Sequence, residues 1–60
     1  MAKYRLYFLD QGRLVGSEQI DADDDGGAAK IARDRGSGDR IEVWSGDRRV
    51  RVVGPAARRL

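Results

Sequence analysis

Residues 41–53 read IEVWSGDRRVRVV, and how this stretch folds back on itself decides the architecture of the chain. Gly46 and Asp47 stand between two runs rich in β-branched and aromatic residues. A glycine followed by aspartate suits a two-residue hairpin loop with positive φ at its first position. Such a loop sets Val43 opposite Val50 and Ile41 opposite Val52. The alternate positions then pair Trp44 with Arg49 and Glu42 with Arg51. A single register thus yields an apolar face and a face of cation–π and ion-pair partners, which predicts a hairpin.

A second hairpin is expected at the N-terminus. KYRLYFL, residues 3–9, has strand composition, and RLVGSEQI, residues 13–20, is a more polar strand. Between them DQG, residues 10–12, fits a three-residue loop with Gly12 in the left-handed conformation, forming a bulge. A two-residue loop would set Phe8 beside Val15 and send Leu14 and Ile20 to the other side. The three-residue loop gathers Tyr4, Leu6, Phe8, Leu14 and Ile20 on one face, so the pattern selects it.

The segment between the hairpins contains DADDDGG, residues 21–27. Asp21, Asp23 and Asp25 followed by Gly26 match the front half of a calcium-binding loop, whose twelfth position needs a bidentate glutamate. Ala32 occupies that position and has no oxygen to offer. The alternative is the start of a helix over residues 24–35, with Asp23 as N-cap and Asp24 and Asp25 at the positive end of the dipole. Ala28, Ile31 and Ala32 then form one narrow apolar stripe, and Gly36 stands where a left-handed C-cap belongs. The helix reading is preferred, and no metal or other cofactor is expected.

The order is therefore ββαββ, an α+β domain with one helix on one face of a mainly antiparallel four-stranded sheet. The most apolar strand, the first, belongs in the centre, and the polar second and Arg-rich fourth belong at the edges. That favours the order 2-1-3-4, with 1-2-3-4 as the alternative. Residues 1–53 make the single domain, and 54–60 are expected to form a flexible basic tail. The repeated Ser-Gly-Asp-Arg at 37–40 and 45–48 precedes a strand each time, and turn chemistry accounts for both copies.

With these elements in place, the run YRLYFLD…G, then DADDD…A…IA, then IEVWSGDRRV resembles small uncharacterised bacterial proteins. These begin with an aromatic strand and end with a VW-x-G-x-R-x-V hairpin. The likeness spans about residues 4–52 and implies the same fold. It brings no activity with it.

Composition narrows the functional classes. A chain of 60 residues with neither Cys nor His has no disulfide, no Cys/His zinc site and no Ser-His or Cys-His nucleophile pair. Nothing marks Glu18 or Glu42 as a desolvated acid–base pair, so a non-catalytic role is expected. The N-terminal apolar run stops at Asp10, short of a signal sequence, and no stretch approaches a membrane span. A cytoplasmic protein without membrane contacts is the expectation. The net charge is +2, but residues 1–39 carry six basic and eight acidic side chains, while residues 40–60 carry six Arg against Glu42 and Asp47.

One helix covers one side of such a sheet and leaves the other open. The expected registers place Arg5, Tyr7, Leu9 and Val15 there from the first hairpin, and Glu42, Trp44, Arg49, Arg51 and Val53 from the second. Arg5, Tyr7, Val15, Trp44, Arg49 and Arg51 are the candidate interaction residues. Three uses of the face stay open. It is solvated, with Arg stems covering the aromatics; or it binds protein, most simply a second copy of the chain; or it stacks single-stranded nucleic acid on Tyr7 and Trp44. Eight Asp residues and the small net charge weigh against nucleic acid. The expected role is an interaction module, a homodimer being the simplest form, with a weak nucleic-acid binder as the alternative.

Overall fold

The computed structural model describes residues 1–36 and 40–54. The elements are β1 (Ala2–Asp10), β2 (Arg13–Ala22), α1 (Asp25–Arg35), β3 (Arg40–Ser45) and β4 (Arg48–Val53). Neighbouring strands are all antiparallel and the order is β2-β1-β3-β4, so the ββαββ architecture and its central pair are as expected. Residues 37–39 of the first Ser-Gly-Asp-Arg copy and residues 55–60 of the expected tail lie outside the described residues.

The core forms where α1 meets the β1–β3 centre. Leu6 and Val43 face each other across the two strands and are completely buried. Tyr4, Ile20 and Ile41 surround them, and the helix adds Ala28, Ala29 and Ala32. The expected stripe holds for Ala28 and Ala32, whereas Ile31 is only half-buried and Ala29 takes a place inside. A helix that offers alanines supplies little apolar area of its own. The large buried side chains therefore come from the sheet.

The acidic stretch is built into the helix start, one residue later than expected. Asp24, not Asp23, is the N-cap, because β2 runs on to Ala22 and the helix begins at Asp25. Asp24 is extended, and its carboxylate accepts from the Gly27 N–H at 2.8 Å. Asp25, in the first turn, accepts at 2.8 Å from the Tyr4 hydroxyl and so ties helix to sheet. That bond raises the Tyr4 pKa, first because the carboxylate holds the phenolic proton and then through burial. At the other end Gly36 has φ +60° and donates to the Ala32 carbonyl, the expected left-handed cap.

Both hairpins carry a bulge that the patterns did not locate. The first turns on two residues, not three: Gln11 and Gly12 both have positive φ, at 54° and 81°, and Asp10 pairs with Arg13. Turns of this kind follow the right-handed twist of the flanking strands. The one-residue shift enters further along, where Val15 is the extra residue between the Leu9–Leu14 and Phe8–Gly16 pairs. Beyond it Tyr4, Leu6, Phe8 and Ile20 share the helix side as expected. Leu14, lying before the shift, goes to the open side with Leu9.

In the second hairpin the Gly46–Asp47 loop forms as expected, with Gly46 at φ +67°, and Trp44 pairs with Arg49. Val50 is then an extra residue. Val43 meets Arg51, Glu42 meets Val52 and Ile41 meets Val53, in place of the expected Val43–Val50, Glu42–Arg51 and Ile41–Val52 pairs. A bulge bends and twists its strand, here curling β4 onto α1 so that Val50 and Val53 both reach the core.

Arg35, in the last helical turn, clasps Glu18 of β2 with two hydrogen bonds of 2.8 Å, from Nε and Nη2. The Glu18 carboxyl lies below its ordinary range because Arg35 donates to it. A carboxyl with a lowered folded-state pKa adds stability above its unfolded pKa, and that stability is lost as pH falls through the folded value. Glu18→Gln is accordingly expected to flatten the fall of thermal midpoint with pH in the acidic range below ordinary glutamate titration. Melting curves from neutral to strongly acidic pH measure it; parent and variant curves of identical slope would assign the acid sensitivity elsewhere.

Candidate interaction surface

The side of the sheet away from α1 is organised in rows, because residues opposite one another on neighbouring strands share a face. The central row is Ser17–Tyr7–Glu42–Val52. On one side of it lies Gln19–Arg5–Trp44–Arg49, and on the other Leu14–Leu9–Arg40. Beyond these, Lys3 stands opposite Asp21, with 3.9 Å between their charges and both well exposed.

Tyr7 and Trp44, from the two central strands, meet edge to face with ring centroids 6.0 Å apart and planes at 87°. This is the geometry that the charge distribution of aromatic rings favours. Glu42 fixes the indole by accepting from Trp44 Nε1 at 3.1 Å. Its other oxygen lies 3.6 Å from Arg49 Nη1. Glu42 thus has an ion-pair partner, but it is Arg49 and not the expected Arg51. Tyr7, Leu9, Leu14, Glu42 and Trp44 line a shallow, largely apolar depression of about 290 Å³.

Four of the six expected residues lie together in these rows: Arg5, Tyr7, Trp44 and Arg49. Arg5 is held by the Gln19 side-chain oxygen at 3.3 Å. Val15 is the exposed bulge residue at the rim. Arg51 stands in the Glu18–Leu6–Val43 row on the helix side, moved there by the β4 bulge together with Val53. Sequence reasoning missed Leu14, 61% exposed, and Val52, 46% exposed, both on the open face. For Leu14 a signal was present, since the isolated Gly16 within a strand marks a bulge. The consecutive valines of β4 carry no comparable mark.

Among the described residues there is no group of three or more metal-ligating side chains and no helix long and apolar enough to cross a membrane. Comparisons with protein-family models, curated proteins and solved structures returned no match.

Proposed function

We propose that this chain is a non-catalytic interaction module whose working surface is the open face of the sheet. The observation that carries this reading is the central Tyr7–Trp44 pair, oriented by Glu42 and flanked by the exposed aliphatics Leu14 and Val52, on a face that no described element covers. Aromatic residues with nearby Arg, preorganised at the middle of a surface, have the composition of protein contact sites. Self-association is the simplest use, because the alanine-lined helix leaves the domain with few large buried side chains and contact would add apolar burial. Nucleic acid is less well supported. Arg49 is already engaged by Glu42, and Arg51 belongs to the helix-side row.

Sedimentation equilibrium from micromolar to millimolar protein tests the reading. A mass that rises towards twice the chain mass, with a melting point that rises alongside it, is the expected outcome. A parent protein that stays monomeric throughout would remove self-association.

A further inference from the structure

We infer that a second copy of the chain docks on the open face about a two-fold axis running along the strands, not across them. The inference rests on the self-association reading above and adds the orientation. A two-fold contact brings one patch against itself, so its charges and apolar groups must be complementary to themselves. Two axes lie in the plane of the face and pass through the Tyr7–Glu42 row, and they make different neighbours.

An axis across the strands sets each residue of the central row against its own copy. Glu42 then meets the second copy's Glu42, two carboxylates brought together as water leaves, which is unfavourable. Leu14 meets an amide, Gln19. An axis along the strands sets β1 over the second copy's β3, and β2 over its β4. Tyr7 then faces Glu42, a phenol donor opposite a carboxylate, and Arg5 faces the indole of Trp44. Gln19 faces Arg49, and no like charges in these rows are opposed. The same axis sets Ser17, on the β2 edge strand, over the second copy's Val52, on the β4 edge strand. Leu14 lies one row further along the same edge, so the contact covers both exposed aliphatics.

The face is large enough for such a contact. Four strands about 4.8 Å apart and some six residues long give two copies a joint buried surface on the order of 1,000 Å², at the lower end of specific interfaces.

The chain has no cysteine, so introduced thiols report without background. Ser17 and Val52 share a row three strand spacings apart, about 14 Å, within one chain, whereas facing sheets stand about 10 Å apart, so a short bis-maleimide linking positions 17 and 52 joins two chains. The double variant Ser17→Cys/Val52→Cys, treated with that reagent at a concentration where the parent is dimeric, is expected to give mainly covalent dimer. Peptide mapping should identify 17–52 links, and each single variant should remain largely uncrosslinked. If Val52→Cys alone crosslinks efficiently, or if no 17–52 link forms although the parent dimerises, the orientation is wrong while self-association stands. A parent monomeric at millimolar concentration removes both.

Discussion

Leu6→Ala is expected to take away most of the stability of this domain. Leu6 lies at the middle of β1, completely buried, with Val43 opposite on β3 and the helix above. Around it the helix presents Ala28 and Ala32, whose short side chains cannot swing into a void. Truncation of a buried leucine costs about 2–5 kcal/mol, the upper part of the range applying where surroundings cannot collapse. A chain of this length has a total stability of roughly 3–9 kcal/mol. At about 4–8 °C per kcal/mol, the midpoint should fall by tens of degrees, read directly by circular dichroism. Lys30→Ala, on the exposed side of α1, is the control and should change stability by no more than about 0.5 kcal/mol. A Leu6→Ala midpoint within a few degrees of the parent would place the core elsewhere.

Trp44→Ala carries the largest expected effect on association. Within one chain the change removes the edge-to-face contact with Tyr7, worth about 0.5–1.5 kcal/mol beyond burial, and frees Glu42 to engage Arg49 alone. At the centre of an interface the loss of a tryptophan costs about 2 kcal/mol or more, which weakens the dimer by roughly 30-fold or more. The two effects separate by concentration. Denaturant melts of dilute protein report the first, and sedimentation across a concentration series reports the second. A dimer constant that Trp44→Ala leaves unchanged would move the contact away from this face.

The fold was legible because its signals are local or periodic. Gly46–Asp47 marked the second turn, Gly36 the helix end, and the contrast between apolar β1 and the polar or Arg-rich edge strands marked the sheet order. The aromatic pair was legible for the same reason: Tyr7 and Trp44 fall on the open side in any register that buries Leu6 and Val43. Hydrophobic alternation reports which residues share a face but does not separate registers two residues apart: a loop over residues 10–12 pairs Phe8 with Leu14, whereas the observed pair is Phe8–Gly16. The expected loop therefore grouped Tyr4, Leu6, Phe8 and Ile20 on the right face while slipping their partners on β2 by two residues, and it put Leu14 on the wrong face. In β4 the Arg–Val alternation satisfies either register up to Val50, and the twist that turns the strand onto the helix is a tertiary effect. The cap shifted from Asp23 to Asp24 because three neighbouring aspartates are chemically equivalent candidates until the length of β2 is known.

The two bulges, at Val15 and Val50, both fall on the outermost strands. A regular outer strand presents an uninterrupted ladder of free amide and carbonyl groups, on which another chain can continue the sheet without limit. Here each ladder is broken partway, and β4 also bears Arg48, Arg49 and Arg51, which repel the same strand of another molecule. Growth by end-to-end sheet extension is therefore discouraged on both flanks. The broad face is different in kind, since two chains that meet there use up the surface they share. If the chain associates through that face as proposed, assembly stops at a pair and does not run on into a filament.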